Sequence, residues 1–217
     1  MTVEHYWAPT TLPDALDHLR GGDVTILAGG TDLMPQTHAG RVTLKRGLLN
    51  VRRVPELHRV ERAEGAVRIG ALCTITELMR DPIVREHFGL LADACDHFAS
   101  DQLRNAATIG GNVCNASPAG DTLVPLLALD AEVELASKPD GRVETRRVPL
   151  ADFFTCRVSR SATQVDLDRR DRIGHHAHDG FAERQRADRQ QRGGTREGAS
   201  PPAGGRRFRG HALCPLH

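Results

Sequence analysis

The 217-residue sequence predicts an α+β fold in two parts, followed by a disordered tail. Three observations predict it. Short apolar runs alternate with amphipathic stretches and glycine turns over residues 1–55. Hairpin patterns mix with helical ones over residues 56–155, and beyond Phe154 both periodicities disappear.

The first part opens with Pro9–Arg20, which predicts a capped amphipathic helix. Thr11 stands at the cap, Pro13 suits the first turn, and Leu12, Ala15, Leu16 and Leu19 fall on one face before Gly21-Gly22 ends it. Val24–Ala28 is a continuous apolar run, the pattern of a strand buried on both faces. Gly29-Gly30 turns the chain, Thr31–Pro35 starts a helix, and Gly47–Val51 is a second strand. Strand and helix alternate, which predicts a small parallel unit.

The second part begins with Arg59–Arg62 and Ala66–Ile69, a hairpin closed by Ala63-Glu64-Gly65. Helices are expected near Thr76–Arg80 and from about Val84 to Phe98, the latter with Leu90, Leu91, Ala94 and Phe98 inward. A glycine turn follows at Thr108–Asn112, then a helix from Thr122 to Leu129. Ala131–Ala136 and Val143–Val148 form a second hairpin around Asp140-Gly141.

Residues 156–217 read differently. From residue 157 onward only eight of 61 residues are Val, Leu, Ile or Phe, too few to repay the entropy of ordering the chain. Thirteen are arginine and none is lysine. Charge divides at the same place: residues 1–156 carry 16 basic and 21 acidic residues, residues 157–217 carry 13 and 7. An acidic front and a basic end mark two different physical objects. The basic end lacks the aromatic interleaving of a nucleic-acid platform, so no nucleic-acid partner is expected.

The five cysteines (Cys73, Cys95, Cys114, Cys156, Cys214) are widely spread without CxxC spacing. That excludes an iron–sulfur or zinc motif local to the chain and argues for free thiols in a reducing compartment. No apolar run reaches the ~18 residues needed to span a bilayer. The N-terminus lacks a signal-peptide pattern, so a cytoplasmic location is expected. His5, His18, His38, His58, His87 and His97 are scattered, and no general acid–base or metal-ligand set emerges.

Two motifs carry the chemistry. Ala28-Gly29-Gly30-Thr31-Asp32 sits between a strand and a helix start. Its glycines free the backbone so that successive N–H groups can form a donor nest for an anion, and Thr31 adds a hydroxyl. It is neither a Walker loop nor a GxGxxG fingerprint. Alone it reads equally as a plain strand-to-helix turn, with Asp32 as a helix cap. The second motif, Thr108–Asp121, supplies Gly110-Gly111, Asn112, Asn115 and Asp121. Backbone donors and short polar groups of this kind suit a long polyoxygenated ligand. Asp121 can accept from a ribose or cap the next helix, and Asn112 and Asn115 can be turn residues.

These segments carry a resemblance. ILAGGTDLMP and RNAATIGGNVCNASPAGDTLVPLLALDAEVEL resemble the two flavin-binding segments of the medium subunits of the xanthine dehydrogenase and aerobic carbon monoxide dehydrogenase family. VRIGALCTITEL is similar to the segment between them and PLADFF to the domain's end. The likeness runs almost continuously over residues 1–155. It implies the vanillyl-alcohol-oxidase (PCMH) type of FAD-binding domain, with subdomains 1–55 and 56–155 gripping the cofactor.

By the resemblance, Ala28, Gly29, Gly30, Thr31 and Asp32 lie along the FAD diphosphate. Thr108, Gly110, Gly111 and Asn112 take the diphosphate and flavin-proximal positions, Asn115 lies in a contact segment, and Asp121 holds the adenosine ribose. Gly70 and Ala71 stand near the cofactor. Thr31 occupies the place of a histidine that attaches FAD covalently in some members of the wider fold, so FAD is expected to be noncovalent. The family is an electron relay. Its medium subunit takes electrons from [2Fe-2S] clusters on a small subunit, which receive them from a large molybdopterin subunit, and passes them to an external acceptor. The chemistry belongs to the flavin, so no catalytic side chain is expected.

The resemblance stops after Phe154, where the family continues into a C-terminal domain. The arginine-rich tail has the composition of a GC-rich coding sequence read in another frame, so a truncation or frameshift is expected near residue 155. Two alternatives stand beside the relay: an inactive remnant without flavin, and a stand-alone flavin oxidase of the same fold.

Overall fold

The computed structural model describes residues 3–63, 65–117 and 120–154, together with the backbone of 207–212. The first sheet has three parallel strands in the order β1 (His5–Trp7), β3 (Gly47–Asn50), β2 (Val24–Leu27). Helix α1 (Leu12–Leu19) links β1 to β2, and α2 (Leu33–His38) links β2 to β3.

Local chemistry accounts for α1. The Asp14 N–H donates to the Thr11 hydroxyl at 3.3 Å, Pro13 sits in the first turn, and Ala15 and Leu16 are buried. The central strand is β3, where Leu49 is fully buried. Burial of β2 on both faces does not hold: Val24 is buried, but Thr25, Ile26 and Leu27 are half-buried because β2 is an edge strand. Strand β1 was not expected. Three residues give too short a pattern, and packing fixes it instead: Trp7 stacks on His5 and His18, with ring centroids 5.4 and 4.8 Å apart.

The second sheet has the order β4 (Val60–Ala63), β5 (Ala66–Gly70), β8 (Arg207–Ala212), β6 (Glu132–Ser137), β7 (Glu144–Pro149). Both predicted hairpins form, β4 with β5 and β6 with β7, and Gly65 and Gly141 take positive φ in their turns. Between the hairpins runs a helical stretch of α3 (Ile75–Arg80), α4 (Pro82–His87), α5 (Gly89–Asp96), α6 (Asp101–Arg104), α7 (Ile109–Asn115) and α8 (Leu123–Ala128). The short α9 (Leu150–Phe153) follows β7.

The long helix expected from Val84 to Phe98 is two. Phe88 leaves the helical region at φ −135° and ψ 52°, and Gly89 restarts the chain as α5. The break also rotates the apolar face. Leu91 and Cys95 are buried, whereas Leu90 is 53% exposed. One core cluster ties the sheets together: Leu57 and Leu72 join Ala15, Leu16, Val24, Leu49, Val51 and Val54, and Ala136 of β6 packs against them. Each such leucine removed from water contributes about 1.5–3 kcal/mol.

The disordered tail expected over 156–217 lies outside the described residues except at 207–212. Arg207–Ala212 forms β8, parallel to both β5 and β6. The slot for this strand is defined by main-chain groups. Two strands with open inner edges offer N–H and C=O partners to any extended backbone laid between them. Among the described residues, no helix is long and apolar enough to cross a membrane, and no group of His, Cys, Asp and Glu could hold a metal ion.

Candidate functional site

The first motif leaves the C-terminal end of β2 and enters α2, at the edge of the parallel sheet where ligands of open α/β sheets bind. Gly30 turns the chain at φ +73°, a left-handed value natural to glycine. Gly29 answers to packing. A Cβ there would stand 2.1 Å from the Ala106 carbonyl oxygen and 3.2 Å from the Ala107 Cα. The first loop therefore lies directly against the chain that enters the second motif.

The loop's donors are open. The carbonyls of Gly30 and Asp32 accept from Met34 and Gln36, but no hydrogen bond among the described residues uses the backbone N–H of Gly29, Gly30, Thr31 or Asp32. Asp32 does not cap α2 with its side chain; its exposed carboxylate accepts from the Gln36 amide. Ala28 is half-buried against the core cluster, and Thr31 is half-buried at the loop's tip.

The second motif is a helix rather than the expected glycine turn. Thr108 caps α7 by accepting from the Gly111 N–H at 3.1 Å. The helix start rests on Gly70–Thr74. Ile75 N–H donates to Ala107, Ile109 N–H to Cys73 and Gly110 N–H to Ala71, at 3.0, 3.0 and 2.9 Å, and Thr74 bridges Thr108. A Cβ on Gly110 would stand 2.7 Å from the Ala71 carbonyl oxygen, so Gly110 exists for close packing. Gly111 turns the other way and is exposed, with only the Thr108 Oγ1 nearby.

Over residues 109–112 this corrects the expectation of a surface of backbone donors. The N–H groups of Ile109, Gly110, Gly111 and Asn112 all have partners in the chain. What remains for a ligand is side chain: the Thr108 hydroxyl proton, the Asn112 carboxamide, and Asn115 on the exposed end of α7 before Ala116 takes a left-handed φ of 49°. Gly70 and Ala71 are buried behind the helix and support it.

Asp121 does not cap the next helix. Thr122 holds the cap position of α8 without a side-chain cap bond, and the Asp121 carboxylate is exposed with no hydrogen bond among the described residues. Thr122, which the sequence did not single out, is fully buried and donates its hydroxyl to Asn112 Oδ1 at 2.6 Å. Ala106 was also missed. The run Asn105-Ala106-Ala107 before Thr108 was the available signal, since small residues allow a glycine loop to approach.

The floor is dry. Cys73, whose carbonyl holds Ile109, has its thiol pushed up to about 12 by burial first and by the nearby Glu77 charge second. Glu77 is itself placed by a capping box, accepting from the Thr74 N–H at 2.7 Å while its own N–H donates to the Thr74 hydroxyl at 3.2 Å.

A free backbone-donor loop lying against a helix of short polar side chains fits a dinucleotide, and the comparisons with known proteins agree. The family model described as the FAD binding domain in molybdopterin dehydrogenase matches residues 1–167. The chain belongs to that family. Its cofactor is FAD. Relatives include the xanthine dehydrogenase FAD-binding subunit of Escherichia coli O157:H7, 37% identical over 152 residues, covering 69% of this chain and 50% of that protein. The carbon monoxide dehydrogenase medium chain of Hydrogenophaga pseudoflava is 34% identical over 151 residues, with 69% and 51% covered. The solved carbon monoxide dehydrogenase of that organism, in a form lacking the Mo-pyranopterin moiety, superposes with a TM-score of 0.64 at 31% identity, covering 70% of this chain and 52% of that one. Quinoline 2-oxidoreductase from Pseudomonas putida 86 gives 0.63 at 26% identity, with 71% and 53% covered. The chain spans about half the length of the curated relatives it matches.

Proposed function

We propose that this FAD-binding chain acts as the electron-transfer subunit of a cytoplasmic molybdenum hydroxylase. It takes electrons from [2Fe-2S] clusters on a small partner subunit, supplied in turn by a large molybdopterin subunit, and passes them to an external acceptor. The observation that carries this is the contact of Gly29 with Ala106 and Ala107, which sets the open N–H groups of Gly29–Asp32 against the start of α7.

In this reading the N–H groups of Gly29, Gly30, Thr31 and Asp32 hold the diphosphate, since fixed main-chain donors suit anionic oxygens. Ala28 anchors the loop to the core. Thr108, Asn112 and Asn115 donate from side chains along α7, and the exposed face of Gly111 leaves room beside them. Gly110 seats the helix on Ala71. Asp121 accepts from the ribose hydroxyls of the adenosine. No residue attaches the cofactor covalently. When bound, FAD supplies reversible electron transfer at its isoalloxazine ring, and the protein's part is to bind and orient it.

Purified chain titrated with FAD tests this directly. Uptake should turn the protein yellow and quench the free flavin's fluorescence, and co-expression with a small and a large subunit should yield a complex whose flavin is reduced by substrate. A colourless chain that takes up no FAD would leave a folded remnant. Reduction of bound flavin by a small alcohol or aldehyde without partners would make the chain a stand-alone oxidase.

A further inference from the structure

We propose that Thr122 is a positioning residue for the cofactor, holding the Asn112 carboxamide so that its amino group rather than its oxygen is presented to the ligand. The inference rests on the FAD assignment above.

Thr122 is fully buried, and its hydroxyl donates to Asn112 Oδ1 at 2.6 Å. A buried hydroxyl without a partner is costly, so this bond is fixed by burial as well as by distance. It occupies the carboxamide's acceptor. The two hydrogens of Asn112 Nδ2 donate to no described residue. Asn112 is half-buried and lies one helical turn beyond Thr108, on the same side of α7.

The need for such a donor follows from the main chain. Backbone N–H groups from Ile109 to Asn112 are committed inside the protein. Hydrogens offered to phosphoryl or carbonyl oxygens of FAD along this stretch of α7 therefore come from side chains, the Thr108 hydroxyl and the Asn112 and Asn115 amino groups, and Asn112 is the one whose orientation a buried neighbour fixes. An asparagine amide turned the other way presents an oxygen to those oxygens, which repels. Turning the amide would make the Thr122 oxygen accept and leave its buried hydroxyl proton without an acceptor among the described residues, and that cost holds the amide as it stands. Thr122 also follows Asp121 directly, so the same bond ties the carboxylate assigned to the ribose to the helix assigned to the diphosphate.

The test compares FAD dissociation constants, read by flavin fluorescence, and apo melting temperatures for wild type, T122V, T122S and the double variant N112A/T122V beside N112A. Valine matches threonine in volume and removes only the hydroxyl. T122V should weaken FAD binding about tenfold at a wild-type apo melting temperature, and T122S should restore it to within about twofold. In the N112A background T122V should have no further effect, because it acts through Asn112. Equal losses in both backgrounds, or unchanged FAD affinity in T122V, would overturn the proposal. A T122V apo protein melting far below wild type would do so too, by making the bond merely structural. Wild type that takes up no FAD would refute the cofactor assignment itself, an outcome read separately in the first titration.

Discussion

Gly29 and Ala106 touch through their backbones, so closely that a Cβ on the glycine would stand 2.1 Å from the alanine's carbonyl oxygen. A carbonyl in a packed chain cannot swing aside as a long side chain can. Gly29→Ala should therefore push the first loop off the entrance to α7, lowering stability by about 2–3 kcal/mol and the melting temperature by roughly 5–10 °C. FAD uptake should fall with it. Calorimetry and fluorescence titration check both, and an alanine variant with unchanged melting and uptake would show that the loop does not depend on this contact.

The adjacent glycines of α7 should respond differently. Gly110→Ala meets Ala71 at 2.7 Å and should cost about 1–3 kcal/mol of stability. Gly111→Ala meets only the Thr108 Oγ1, at 2.9 Å, and gains the helix propensity of alanine, about 1 kcal/mol, so its melting should stay near wild type. Its FAD affinity should nevertheless drop, because the new methyl group occupies the exposed face. Equal melting losses in the two variants would refute this division of labour.

Asp121→Asn should separate the adenosine half of the ligand from the flavin half. The carboxylate is exposed and makes no hydrogen bond among the described residues, so its removal should leave melting unchanged. Affinity for FAD should fall about fivefold to tenfold, the worth of one charge-assisted hydrogen bond partly replaced by an amide. Competition by ADP-ribose should weaken in parallel, while riboflavin binding stays the same. Parallel losses for riboflavin would place Asp121 elsewhere.

The buried thiols make a pH prediction. Burial pushes the Cys73 and Cys95 thiols up to about 12 in the folded chain, above the ordinary thiol value of 9.0. Their protonated form is the one the fold favours, so the associated stability is complete below pH 9 and is lost as pH rises from about 9 toward 12. Denaturant midpoints should decline through that window. At pH 8, alkylation mapped by mass spectrometry should spare Cys73 and Cys95 and mark half-buried Cys114. Rapid labelling of Cys95 in the native protein would contradict the burial.

The sequence made local features legible where a residue type performs one local task. Thr11 and Pro13 announced α1, and the glycines at 65 and 141 announced both hairpins, because caps and positive-φ turns are decided within a few residues. It concealed what tertiary contacts decide. The break at Phe88–Gly89 and the three-residue β1 depend on neighbours distant in sequence. So does the helical state of Gly110-Gly111, two poor helix formers held in place by Thr108 and Ala71. In the site the residue types were readable from the glycine pairs, but the assignment of donors was not. Which N–H groups remain open depends on Cys73 and Ala71, more than 30 positions earlier, and Thr122 gives no sign in sequence that its hydroxyl is buried.

The unbonded amides of Gly29 through Asp32 belong to every amino acid but proline, whatever side chain stands there. Exchanging Thr31 or Asp32 alters the decoration and leaves those hydrogens in place, so long as the path of the chain survives. Heritable change can thus rewrite the lettering of this loop far more freely than that of its support. The identities that matter most for gripping an anion belong to residues that never reach it.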